Sequence, residues 1–124
     1  MSGAAVTAVA LYAVVPVPGA EDLVPAPLAS HAESRGWVVP AGCAVTDAGP
    51  LDQETGLRTG WTRIRDTACA GRINGIVVPA LAHIAYHWND WTVEQSWLSR
   101  RGLFVIATDP TDQAVLPEPQ GSRP

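Results

Sequence analysis

The stretch RTGWTRIRDTACAGRINGIVV, residues 58 to 78, holds two elements and the break between them. Leu57, Trp61, Ile64 and Ala68 follow the i, i+4, i+7, i+11 spacing of one helical face, which predicts a helix over residues 57 to 70. Gly71 ends it, because glycine tolerates the left-handed backbone that closes a helix. Gly75 to Val78 (GIVV) is a short apolar run with no polar alternation, as expected of a strand covered on both faces. A helix that runs directly into such a strand is the repeating unit of a parallel sheet.

The pattern continues on both sides. Toward the carboxyl terminus, Pro79 opens a loop or helix start. A third helix is predicted near 88 to 101, with Trp88, Trp91 and Leu98 toward the core. Gly102 caps it, and Leu103 to Ala107 (LFVIA) reads as a fourth strand. Residues 109 to 124 are rich in proline and polar residues and are expected to be a disordered tail after a domain spanning 1 to 108. Toward the amino terminus, Val6 to Val15 (VTAVALYAVV) predicts a central strand that stops at Pro16-Val17-Pro18-Gly19. A loop carrying Glu21, Asp22, Pro25 and Pro27 leads to a short helix, 28 to 35, closed by Gly36. Trp37 to Val45 (WVVPAGCAV) reads as the second strand, with Pro40 marking an edge or a bulge, and 47 to 56 as a polar loop. The alternation predicts a three-layer α/β domain: an open, mostly parallel sheet of four strands with helices on both faces.

At 124 residues the chain suits one domain, and 47% hydrophobic against 16% charged residues favours a globular body. The net charge of −4 speaks against a free-standing binder of duplex DNA, since neutralising phosphates supplies most of that affinity. The apolar run from Ala4 to Val17 is too short to cross a bilayer and has no basic flank of the secretory type. We therefore expect a cytoplasmic protein without membrane contact. Cys43 and Cys69 fit no C-x-x-C spacing and are expected as buried free thiols in a reducing compartment.

Several constellations are weighed against plainer readings. His83, His87 and Asp90 would share a face if one helix ran from 79 to 101, but Pro79 argues for a later start, so no metal site is expected. No G-x-G-x-x-G follows the first strand, so no dinucleotide cofactor is expected. Asp47, Thr108 and Asp109 fall at predicted strand ends, where open sheets bind ligands, yet polar residues are common there. Trp88 and Trp91 fit a core stripe. Trp97 lies off it and is expected to be exposed beside Arg100 and Arg101, a composition typical of protein interfaces.

The order and spacing of elements resemble the catalytic domain of the resolvase/invertase serine recombinases. In those domains the first strand ends Tyr-x-Arg-x-Ser, and here Tyr12 to Pro16 stand in that place. Ala32-Glu33-Ser34-Arg35-Gly36-Trp37-Val38-Val39 matches the family's first helix end. Arg58 to Val78 matches its next helix and strand without a gap, and Arg100-Arg101-Gly102-Leu103-Phe104-Val105 matches its last.

The resemblance implies a site in which a serine attacks a phosphate held by arginines. This chain departs from it. Pro16 stands at the nucleophile and Val14 at an arginine. Ala82, His83 and Tyr86 replace an aspartate and two arginines, and Arg58 alone is retained. Ser30 and Ser34 lie on the predicted first helix, away from the strand ends. We also expect the chain to lack the long dimerising helix and DNA-binding segment of full-length recombinases.

These departures lead us to expect no catalytic activity. The expected role is instead that of a protein-interaction or regulatory module, or a mobile-element remnant, with an unidentified protein partner, a second copy included. A small ligand-binding or enzymatic α/β domain, and a single-strand nucleic-acid binder using Trp97, Arg100 and Arg101, are the alternatives. If the resemblance holds, Pro16, Arg58 and residues 82 to 86 converge at the carboxyl end of the sheet.

Overall fold

A computed structural model describes residues 7–15, 25–50 and 57–108. The expectations for Pro16, the turn after it, Asp109 and the tail lie outside the described residues. The central strand is β1, Val9–Val15, buried at all seven positions. It lies between β2, Ala44–Ala48, and β3, Gly75–Val78, and β4, Phe104–Ala107, completes the order β2-β1-β3-β4. Every pairing is parallel, so the sheet is wholly rather than mostly parallel.

The two faces of β1 explain the three layers, because successive side chains point to opposite sides. Val9, Leu11 and Ala13 pack with Leu28 and Ala32 of α1, Pro25–Ser34, and with Trp37, Val77, Phe104 and Ile106. Ala10, Tyr12 and Val14 face the other way. They meet Trp61, Ile64 and Ala68 of α2, Thr59–Cys69, and Trp91, Trp97 and Leu98 of α3, Trp88–Arg100. Close layering leaves no room at Gly75, where a Cβ would lie 2.5 Å from the Phe104 ring.

Three of the departures from the predicted boundaries are informative. The helix α1 begins at Pro25 and takes in Pro27, because the first turn of a helix needs no N–H from these positions. The second strand is not 37 to 45. Val38 makes an isolated bridge to Ala8, Pro40 and Gly42 form a turn, and pairing with β1 runs from Ala44 through Thr46 and Asp47. The apolar WVVPAGCAV run thus drew the strand too early, and the polar residues after it belong to the strand. Leu57, expected on the core face of α2, precedes that helix and is 64% exposed.

Asp47 explains why the strand tolerates a buried carboxylate. Its Oδ1 accepts the N–H of Gly60 at 2.8 Å, and its Oδ2 accepts the N–H of Trp61 at 3.0 Å. A carboxylate from β2 thereby caps the free donors of the first turn of α2, where the helix dipole also favours negative charge. The residue at the N-cap position, Arg58, supplies no side-chain cap of its own. Oδ2 also accepts the Tyr12 hydroxyl at 2.6 Å. Gly60 makes the approach possible, since a Cβ there would lie 2.7 Å from Val45 Cγ1 and 2.8 Å from Asp47 Oδ1.

Asp47→Ala should therefore destabilise the fold by about 2–4 kcal/mol, combining a lost cap with a stranded buried hydroxyl. Urea unfolding would measure it. Asp47→Asn, which keeps one acceptor oxygen, should lose less than the alanine variant; equal losses would show that the capping bonds contribute little.

Candidate functional site

The carboxyl end of the sheet gathers polar groups because β1 outruns its neighbour. It pairs with β3 only through Leu11, opposite Val77, and the chain leaves β3 after Val78. Val9 and Leu11 donate toward the β2 side, to Val38 and Cys43, so the alternate N–H groups of β1 face the β3 side. Val14 therefore presents an amide beyond the last strand carbonyl. His83 supplies the acceptor: its Nδ1 takes the Val14 N–H at 2.9 Å. Accepting at Nδ1 fixes the neutral imidazole with its proton on Nε2. Burial is the main force that lowers the His83 pKa from its ordinary value, and the Arg58 charge adds to it.

Arg58 comes to the same place from the start of α2. Its Nη1 donates to the carbonyl of His83 and, at 3.2 Å, to that of Ile84. The side chain is 1% exposed. Buried guanidinium groups need such oxygen partners, since desolvation would otherwise be costly. Arg58 also acts on Tyr12. Burial raises the Tyr12 pKa most, the hydrogen bond to Asp47 and its charge raise it further, and Arg58 partly opposes them. The arrangement joins a phenol, a carboxylate, a guanidinium and a neutral imidazole across β1, β2, the start of α2 and a 3-10 turn, Leu81–His83.

Of the residues singled out from sequence, Val14, Arg58 and His83 come together here. Ala82 is half-buried on the turn. Tyr86 is 54% exposed and stands edge-on to the His87 ring at 5.3 Å. Pro16 lies outside the described residues. Tyr12 and Asp47 were not recognised as partners; Asp47 stood out only as a polar residue at a predicted strand end. The three candidate metal ligands do not share one helix, because His83 ends a 3-10 turn and α3 begins only at Trp88. Among the described residues no group of three His, Cys, Asp or Glu side chains is placed to hold a metal ion.

The other candidate surface needs correction. Trp97 is not exposed; it is 8% accessible. Its indole donates to Glu94 Oε1 at 2.8 Å, the same oxygen that takes the Trp61 indole at 2.7 Å. The Arg65 guanidinium lies 5.0 Å from the Trp97 ring centroid, within cation–π range. A ring held this way has no free face for a nucleic-acid base. Arg100 and Arg101 are exposed and, with Trp97, line an open depression at the end of α3. Cys43 is buried as expected, whereas Cys69 is exposed; both are free.

No family model matches the chain, and no curated protein matches it. Solved structures do. The N-terminal catalytic domain of TP901-1 integrase superposes with a TM-score of 0.72 over 84% of this chain and 78% of that one, at 20% identity. The C-terminal catalytic domain of ISC1926 TnpA, an IS607-like serine recombinase, gives 0.71 over 82% and 70%, at 11% identity. A serine recombinase from Sulfolobus solfataricus gives 0.60 over 82% and 69%, at 14% identity. The fold is thus that of serine recombinase catalytic domains.

This finding overturns the expectation that the chain is not an enzyme: the architecture it shares is that of catalytic domains. That expectation rested on carrying a motif over position by position. Residue identity at single positions is a weak guide where identity is this low, and the central position, Pro16, is outside the described residues.

The depressed His83 pKa gives a stability prediction. A neutral imidazole is favoured in the fold, so below about pH 6.5 the unfolded chain binds more protons than the folded one. Stability is fully present above that value and is lost as pH falls toward the folded-state pKa. His31, also lowered mainly by burial with Arg35 adding, contributes with the same sign. Urea midpoints should fall from about pH 7 to about pH 5, and His83→Asn with His31→Asn should flatten the profile. An unchanged slope in the double variant would refute this assignment.

Proposed function

We propose that this chain acts in DNA recombination as a serine-recombinase-type domain, and that it works through a protein contact at the end of α3. The carrying observation is the fold, matched over 84% of the chain by the first of the catalytic domains above. The order of motifs from residue 8 to residue 108 supports the same reading.

For the contact, support comes from Arg100 and Arg101, exposed beside an open depression and in no ion pair with a described residue. Exposed guanidinium groups at the rim of a depression suit a partner surface that presents carboxylates. A second copy of this chain, with its net charge of −4, offers such a surface. The burial of Trp97 shifts the weight of the contact from the aromatic ring to the arginines.

A second reading is strand cleavage by the chain itself, favoured because the matched structures are catalytic domains. Incubation with negatively supercoiled plasmid, followed by a denaturing gel, separates the two. A covalent protein–DNA band would establish the second reading. For the first, the Arg100→Glu, Arg101→Glu variant should weaken self-association at least about tenfold in sedimentation velocity, roughly the coupling expected of close charge pairs. Unchanged association would remove the α3 contact.

A further inference from the structure

We propose that His83 is an acid-released latch: in its neutral form it ties the 3-10 turn to the end of β1, and protonation breaks that tie and loosens the turn.

The geometry makes the latch two-sided. On one side the imidazole lone pair at Nδ1 takes the Val14 N–H at 2.9 Å. An imidazolium has a proton on each nitrogen and no lone pair, so it would point one donor at another. On the other side the main chain of the same residue accepts from Arg58. Protonation would therefore place a second cation beside a guanidinium that is 1% exposed, a like-charge pair with little water to screen it.

Asp47 of β2 is the buried carboxylate of this end, and both its oxygens are already engaged by Tyr12, Gly60 and Trp61. Tyr12 of β1 is held in its neutral form, its pKa pushed up by burial first and by Asp47 next. Beyond the turn, Tyr86 and His87 are exposed and stand against each other. Arg58 is the charged group acting on His83, and it acts against protonation.

The turn is also built to open locally. Its main-chain bonds are mostly short-range: His83 N–H to the Ala80 carbonyl at 3.0 Å, and the Ile84 and Ala85 N–H groups to the Leu81 carbonyl at 2.9 and 3.1 Å, with the Thr108 hydroxyl 3.5 Å from the Pro79 carbonyl. Leu81, Ala82 and His83 are only half-buried, whereas Ile84 and Ala85 are fully in the core. The chain on the other side is anchored by β3, buried at all four positions. Residues 81 to 83 can therefore loosen while Ile84 stays, with Arg58 Nη1 still held by the Ile84 carbonyl.

Amide exchange of the labelled protein tests the latch, with the Val14 amide as reporter and the Ile76 amide as the global reference. From about pH 7 to about pH 5, Val14 protection, corrected for intrinsic exchange, should fall at least about tenfold more than that of Ile76, which follows global stability alone. In His83→Asn, whose amide oxygen can replace Nδ1 as acceptor, Val14 should lose no more protection than Ile76. The His83 ring nitrogens provide a reading that needs no variant: they should show the Nε2–H tautomer at neutral pH and titrate together with the loss of Val14 protection. An equal fold-loss at Val14 and Ile76, or an excess loss at Val14 that survives in His83→Asn, would overturn the proposal.

Discussion

The carboxylate of Asp47 is the constraint from which the α2 and α3 layer is arranged. Two oxygens serve three donors on two elements: the Tyr12 hydroxyl on β1, and the first-turn amides of Gly60 and Trp61 on α2. Charge matters here, since a helix start presents partial positive charge and unpaired donors together. Fixing the start of α2 fixes Trp61, which is wholly buried against Tyr12 with ring centroids 5.2 Å apart. The Trp61 indole then donates to Glu94 of α3, and that oxygen also holds Trp97. A chain of polar contacts thus runs from β2 to α3 through an otherwise apolar layer. Such bonds add little net stability each, but a buried donor left unmade is expensive, so they select one arrangement of the helices over near alternatives.

The protein treats its arginines in opposite ways. Arg58 is buried and engaged on main-chain oxygens, while Arg100 and Arg101 stand in solvent. Burial of a guanidinium is tolerable only with fixed oxygen partners, so Arg58 and the turn at 81 to 83 position each other. The backbone of Arg58 is tied down as well, because its carbonyl accepts both the N–H and the hydroxyl of Thr62 at 3.1 Å. Neither half of the residue can move without disturbing the start of α2 or the turn.

Elements with one dominant signal were legible in the sequence. The apolar run of β1, the GIVV of β3 and the helical periodicity around Trp61 and Ile64 each admit one reading, and each lies where it was expected. Where the signal depends on a distant partner it failed. Asp47 looks like the start of a loop until Tyr12, 35 residues earlier, and the amides of α2 are seen to satisfy it. Trp97 looks exposed by periodicity until Glu94 and Arg65 are placed around it. For the candidate site, the resemblance brought Val14, Arg58 and His83 to one region, but it could not give the direction of the bonds. Arg58, the one arginine retained from the family's site, is engaged on main-chain carbonyls.

The position of His83 follows from sheet geometry rather than from any property of histidine as a catalytic residue. A central strand longer than its neighbour leaves amides with no strand carbonyl to meet, and a buried amide must find an acceptor. Any residue reaching from the turn after β3 with a lone pair would meet the need at Val14. Asparagine or a main-chain carbonyl would serve without responding to pH. Histidine meets it conditionally, because its acceptor disappears on protonation, and here it does so beside a buried cation. The strand mismatch accounts for the presence of an acceptor at this position. The choice of an imidazole makes the contact between turn and strand depend on protons.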